Sequence, residues 1–315
     1  MDTLDTKIFR ELVQDRSAFA TSDIRRSFRV VARKLDIDEV TVRKRIKKMQ
    51  GSGFLQYWMV LVNPRLLGLG IAQLLFDVLS SSTKYDLIEK LKLLPGAFVL
   101  VDCFGSSMYF SFFYQDETSL QRQVELVSKI TSAKDMVFRS TPIPECKVKL
   151  AVTDWRIIRS LHKNPRKSYG SVARELGVSS RTVKRRLQRM VDEKAVFVVP
   201  SMNPGALDGV IQADLLVSHE NPRSKAETDG KFMALWDDHL ARAEIGDKEH
   251  SFFNLFVKNV SQAHEVLDWT KRQPGVRSAR IDLVQDRIEF YPLLSGELAE
   301  KLRQFSVTPV KFEHR

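Results

Sequence analysis

The 315-residue sequence has only two cysteines, Cys103 and Cys146, which supports neither a disulfide framework nor the paired spacing of a zinc site. It has no long hydrophobic run either. The stretch from Leu66 to Phe76 is broken by Gln73 and stopped by Asp77, far short of the roughly 20 apolar residues that a membrane-spanning helix needs. The opening Met1-Asp2-Thr3-Leu4-Asp5 lacks the basic start and apolar core of a secretory signal, so the expected location is the cytoplasm and no membrane partner is expected. The six histidines (His162, His219, His239, His250, His264 and His314) show no ligand spacing. Leu67-Gly68-Leu69-Gly70 is not a dinucleotide loop, because no helix pattern opens after it and no third glycine follows. No paired-carboxylate or nucleophile motif stands out. The expectation is therefore no catalytic residue, no metal and no cofactor.

What the chain does have is positive charge, unevenly placed. Fifty Lys and Arg against 39 Asp and Glu give +11, and the pI near 9.6 points to a polyanionic partner. Residues 1–62 carry net +5, residues 63–149 carry +1, residues 150–201 carry +8 and residues 202–315 carry −3. Two basic modules thus alternate with two near-neutral or acidic ones. With 43% hydrophobic and 28% charged residues, each part has the composition of an ordinary folded domain.

The alternation reflects an internal repeat. Val31-Ala32-Arg33-Lys34-Leu35-Asp36-Ile37 matches Val172-Ala173-Arg174-Glu175-Leu176-Gly177-Val178, and Thr41-Val42-Arg43-Lys44-Arg45-Ile46 matches Thr182-Val183-Lys184-Arg185-Arg186-Leu187, both at an offset of 141 residues. Asn63-Pro64 recurs as Asn203-Pro204 and Gly105 as Gly246. Asp5 pairs with Asp154 at offset 149, so the first copy carries eight extra residues within Arg16 to Phe28.

Helical periodicity places first helices at about Asp5 to Gln14 and Asp154 to His162, and second helices at about Phe28 to Leu35 and Gly170 to Leu176. Tight turns at Asp36-Ile37-Asp38 and Gly177-Val178-Ser179 lead into third helices capped by Asp38 and Ser179. Val42, Ile46 and Met49 fall on one stripe of the first third helix, and Val183, Leu187 and Met190 on that of the second, so these six are expected in the core. The opposite faces then carry Val40, Thr41, Arg43, Lys44, Lys47 and Lys48 in one copy, and Arg181, Thr182, Lys184, Arg185, Gln188 and Arg189 in the other. A duplicated third helix, basic outward after a tight turn, is what a helix-turn-helix needs to reach base edges and phosphates of duplex DNA. Extended stretches at Phe54 to Val60 and Val196 to Val199 suit a wing. Phosphate contacts are expected from Arg43, Lys44, Lys48, Lys184, Arg186 and Arg189. Val40 opposite Arg181 and Lys47 opposite Gln188 are unlike pairs, so the two helices should prefer different bases, in a two-part imperfect site.

The run from Leu4-Asp5 through Val31-Ala32, Thr41-Val42, Gly53-Phe54-Leu55 and Asn63-Pro64 to Leu67-Gly68 resembles the Lrp/AsnC family of transcriptional regulators. The resemblance implies an α+β chain in which winged helix-turn-helix domains at 1–62 and 150–201 alternate with ferredoxin-like βαββαβ domains at 63–149 and 202–315; the sequence itself adds a C-terminal helix expected at Ser295 to Gln304. The neutral halves read in the same way. Strands are expected at 70–80 and 211–218, helices at about Tyr85 to Leu94 and Lys231 to Leu240, and paired strands about Gly105 and Gly246. Further helices at about Thr118 to Thr131 and Ser261 to Arg272 precede final strands near Val137 and Ile281. One face of each sheet must be buried against a partner. The other copy supplies it, giving an intramolecular pseudo-dimer that leaves room for further association of chains. The family also binds amino-acid-like effectors, with an acidic residue just after the strand glycine. The first copy reads Gly105-Ser106-Ser107; the second, Gly246-Asp247-Lys248-Glu249, keeps acids, so Gly246, Asp247 and Glu249 are its effector candidates. Two alternatives stand beside a regulator: an enzyme of the siroheme decarboxylase type, which shares this domain pairing, and an architectural protein that coats DNA without sequence choice.

Overall fold

Local capping chemistry sets the start of the third helix in each helical module. The computed structural model describes residues 1–13, 28–78, 84–133, 135–162, 164–244, 248–290 and 296. Its first elements are α1 (Thr3–Val13), α2 (Phe28–Leu35) and α3 (Glu39–Gly51). Asp38 is extended and its carboxylate accepts the Thr41 amide at 2.7 Å, closing the exposed start of α3. The turn before it puts Asp36 at φ +53, a left-handed value that Asp tolerates better than most residues. Ile8, Leu12, Val31, Val42, Ile46 and Met49 are buried together, the expected apolar stripes. The same order recurs as α6 (Val152–Leu161), α7 (Tyr169–Leu176) and α8 (Ser180–Asp192). Here Ser179 accepts the Thr182 amide at 3.1 Å, and Gly177 takes φ +68. Trp155, Ile158, Val172, Val183, Leu187 and Met190 form the second core.

The expected wings are not local hairpins. β1 (Leu55–Val62) pairs antiparallel with β6 (Val196–Met202), with Val60 opposite Val198 and Trp58 opposite Pro200. Among the described residues neither module has a second strand of its own, because Asn63 and Asn203 start 3-10 turns at Pro64–Leu67 and Pro204–Ala206, and a lone strand would leave its ladder groups unpaired. The modules are also exchanged across this ribbon. Val60 and Val62 of β1 sit in the core of the second helical module. Phe256, with Met202, packs in the core of the first.

The first α/β unit consists of β2 (Gly70–Asp77), α4 (Lys84–Leu91), β3 (Ala97–Cys103), β4 (Ser107–Tyr114), α5 (Glu117–Thr131) and β5 (Met136–Ser140). The second comprises β7 (Ile211–His219), α9 (Pro222–Leu235), β8 (Leu240–Glu244), β9 (His250–Val257), α10 (Val260–Lys271) and β10 (Val276–Glu289). Their strands lie in the order β5-β2-β4-β3-β10-β7-β9-β8. Within each unit this is the split βαβ arrangement. α9 begins nine residues earlier than periodicity suggests, because Asn221 caps it through the amides of Arg223 and Ser224, with Pro222 in its first turn.

The junction between the units departs from simple face-to-face burial. The long β10 pairs with β7 through Val276 to Leu283 and, past an irregularity at Val284/Asp286, with β3 through Val284 to Glu289. It therefore joins the two sheets edge to edge. The inner faces also meet: the Tyr109 and Phe252 rings are 6.1 Å apart and edge-on, and the Arg139 guanidinium lies 4.4 Å over Phe252. The C-terminal helix expected at Ser295 to Gln304 falls, but for Gly296, outside the described residues.

Candidate nucleic-acid interface

The outward faces of α3 and α8 are where the periodicity put them. Val40 is 71% exposed, and Arg43, Lys44, Lys47, Lys48, Arg181, Lys184, Arg185, Gln188 and Arg189 are all exposed. They do not all have the same freedom. Thr41 and Thr182 are half-buried and belong to the caps, with Thr41 Oγ1 donating to Asp38 at 2.6 Å and Thr182 Oγ1 lying 2.9 Å from Ser179 Oγ. These hydrogen bonds from Thr41 also hold the Asp38 carboxyl below its ordinary pKa. Arg43 is fastened to Glu39, 2.5 Å away, and Gln188 donates to Asp192 at 2.8 Å.

Three expected phosphate ligands also reach back to the buried carboxylates of the first helices. Asp154, at the start of α6, has no exposed surface. It accepts Arg186 Nη1 at 3.0 Å and Arg189 Nη2 at 2.7 Å, together with the Ala151 amide at 2.9 Å. The equivalent Asp5, also fully buried, is held by Arg45 Nη1 at 3.2 Å and lies 3.6 Å from Lys48 Nζ. A carboxylate buried in a small helical core must recruit cations or give up its charge, and the basic third helix is the nearest source. Arg186, Arg189 and Lys48 thus tie the first helix to the third, while the outer parts of Lys48 and Arg189 stay in solvent. Sequence reading left Arg45 out of this arrangement, although its position four residues before Met49 puts it beside the stripe. Lys44, Lys47, Arg181, Lys184 and Arg185 remain, and form no ion pair with any described residue.

The two helices also differ at their N-termini. α3 begins with Glu39 behind Asp38, so carboxylates occupy the end of the helix that favours anions. α8 begins Ser180-Arg181-Thr182 behind Ser179, with no acid in its first turn. An incoming phosphate meets repulsion at the first helix and open amides and an arginine at the second.

Of the effector candidates, Gly246 and Asp247 lie outside the described residues. Glu249 is half-buried; its carbonyl accepts the His219 amide at 2.8 Å and its carboxylate is 3.7 Å from Arg277. At the first hairpin a cleft of about 540 Å³ opens between Lys84, Ile88, Asp102, Gly105, Gln285 and Asp286. Its lysine is already satisfied: Lys84 Nζ donates to Asp102, to the Cys103 carbonyl and to the Ser107 carbonyl at 2.6, 2.5 and 3.1 Å, which uses all three of its protons. Among the described residues no group of three or more His, Cys, Asp or Glu is placed to hold a metal ion, and no helix is long and apolar enough to cross a membrane.

Residues 150–194 match the family model described as winged helix-turn-helix DNA-binding. Over 92 residues the chain is 32% identical to the HTH-type transcriptional regulator Ptr1 of Methanocaldococcus jannaschii, a match spanning 29% of this chain and 57% of that protein. It is 24% identical over 151 residues to the regulatory protein AsnC of Haemophilus influenzae, covering 45% of this chain and 94% of that one. Over these matched stretches the chain is similar to regulators of the Lrp/AsnC type. The stretch alike to Ptr1 is little more than half of that relative, so what the whole relative does is not transferred with it. The solved structure of the siroheme decarboxylase NirDL has a fold like that of this chain over almost its whole length. The TM-score is 0.54 with 15% identity, over 96% of this chain and 99% of that one. That likeness is one of fold.

Proposed function

We propose that this chain is a double-stranded DNA-binding transcriptional regulator built as two Lrp/AsnC units in tandem, with α3 and α8 as its two reading helices. The observation that carries the reading is the pair of solvent-facing third helices. Each is rigidly capped and cored, and each presents cations that pair with no described residue: Lys44 and Lys47 on one, Arg181, Lys184 and Arg185 on the other. Lysines there supply phosphate contacts, and an arginine can fork onto guanine O6 and N7. Because the outward side chains differ between the helices, the site has two unlike halves. The second helix supplies most of the affinity, having the acid-free N-terminus and the larger free charge. Modulation by a small amino-acid-like effector and association beyond the intramolecular pair belong to the same reading, as does a chain that binds rather than catalyses.

The test is binding of the purified chain to random and selected duplexes across a salt series. A selected sequence held at physiological salt supports a regulator. Binding that collapses with salt and shows no preferred sequence supports the architectural reading instead. The whole-length fold shared with NirDL favours one other reading, an enzyme acting on siroheme. Absorption titration with siroheme and a decarboxylation assay address it directly, and turnover of siroheme without DNA binding would overturn the regulator.

A further inference from the structure

The two helical modules touch at a second place besides the β1–β6 ribbon. Phe28, half-buried at the first position of α2, packs on the core of the first module. Two guanidinium groups lie over its ring: Arg43 of α3 has its central carbon 5.0 Å from the ring centroid, and Arg166 of the α6–α7 connection has its own at 4.3 Å. Both distances are within cation–π range. Arg43 is in turn fixed by Glu39 on its own helix. A continuous series of contacts, Glu39 to Arg43 to Phe28 to Arg166, therefore runs from the first reading helix into the second module.

A single ribbon acts as a hinge, since two bodies joined along one line can still rotate about it. A second attachment away from that line removes the rotation. The ribbon holds the modules through β1 and β6, and His162 fastens the second module to it by exchanging bonds with Val60: the Val60 amide donates to the His162 carbonyl at 3.0 Å, and His162 Nδ1 lies 2.8 Å from the Val60 carbonyl. Phe28 and Arg166 make a further direct contact between the two helical modules, added to the docking of the first module on the second α/β unit through Lys7–Asp238, Arg10–Asp237 and Phe256. Resting on the DNA-binding reading above, we propose that Phe28 and Arg166 set the spacing and phase at which α3 and α8 meet DNA, so that the chain reads its two half-sites at one separation only. Neither residue belongs to a basic helix face, and neither needs to touch a base; they act by positioning the two readers.

The expected signature is a sharp dependence on spacer length. One added base pair rotates one half-site against the other by about 34 to 36°, which two fixed helices cannot follow. With the selected duplex and versions carrying one, two and five extra base pairs between the halves, the unmodified chain should lose about tenfold in affinity or more at one added pair, while Phe28→Leu and Arg166→Gln should reduce that loss to about threefold or less. Leu keeps apolar bulk against the core, and Arg166→Gln leaves the core untouched, so a folding defect in one variant does not decide the result. A readout independent of DNA is the distance distribution between spin labels at Arg33→Cys and Arg174→Cys, with Cys146→Ser. It should be narrow in the parent and broad in Phe28→Leu. A parent that binds with a sharp spacing preference retained by both variants overturns this inference alone. A parent that binds no duplex at low salt overturns the regulator reading and this inference with it.

Discussion

Arg280 of β10 donates two hydrogen bonds to Asp77 at the end of β2, at 2.7 and 3.0 Å, tying together residues 203 positions apart. The same guanidinium reaches Asp282 at 3.0 Å and Ser107, and Asp282 also accepts Tyr109 at 2.6 Å. The seam between the two α/β units is therefore a polar clamp beside the β10–β3 ladder. Hydrogen bonding from Arg280 holds the Asp77 carboxyl below its ordinary pKa, and Asp77 in turn raises the Arg280 pKa further.

Arg280→Gln should loosen this seam. Buried Asp282 would keep Tyr109 and Ser107 but lose its cation, and with Arg280 over one-third exposed the discounted cost is about 1 to 2 kcal/mol. The Asp77 share has a defined pH window. A carboxyl whose folded pKa is depressed stabilises above its unfolded value, 3.8 here, and that contribution disappears as pH falls through the lower folded value. Urea unfolding of parent and variant at pH 7 and pH 3 measures both effects; a variant as stable as the parent at pH 7 would show that the ladder alone holds the seam.

Asp214→Asn should stabilise the protein at neutral pH. Asp214 sits opposite Asp282 on adjacent strands, and burial pushes its carboxyl from 3.8 up to about 6, against the hydrogen bonds from Asn254 and Gln212. The native state then holds the proton more tightly than the unfolded chain, so stability falls as pH rises from 3.8 to 6 and the deficit persists above. Removing the charge should recover up to about 3 kcal/mol at pH 7.5 and nothing at pH 3.5. Thermal unfolding at the two pH values decides it, and a variant that is weaker at pH 7.5 would mean that the ionised group is needed for packing.

Asp154→Asn should cost about 1 to 2 kcal/mol. The substitution keeps the shape and the bond from the Ala151 amide but leaves Arg186 and Arg189 without their anion, and both reach solvent enough to soften the penalty. Chemical denaturation checks the cost. DNA affinity of the folded variant shows whether the released arginines turn to phosphate.

The sequence announced what is local and periodic. Asp38 and Ser179 are caps because of side-chain chemistry three residues long, and Val42, Ile46 and Met49 are core because 3.6-residue spacing puts them on one side. Pairing between distant segments left no such mark. β1 finds β6 rather than a wing partner, and β10 finds β3, through ladders whose register is written only in three dimensions. The same limit hid the use of the third-helix arginines. Arg186 and Arg189 look like surface charge until Asp154, 32 and 35 residues away, is brought beneath them.

The contrast between α3 and α8 yields the sharpest test of the proposed function. Arg185 is exposed, with no ion pair to any described residue, on the helix whose first turn carries no acid. If it reads a base edge, Arg185→Ala should cost about 1 to 3 kcal/mol and relax preference at one position of the selected site. Lys47 lies on the helix whose N-terminus is occupied by Asp38 and Glu39. As a phosphate contact, Lys47→Ala should weaken all sequences alike and reduce the slope of log affinity against log salt by about 0.9. Selection from random duplexes separates the outcomes. Loss of preference in the Lys47 variant and none in the Arg185 variant would assign base reading to α3 instead, and with it the larger share of the affinity.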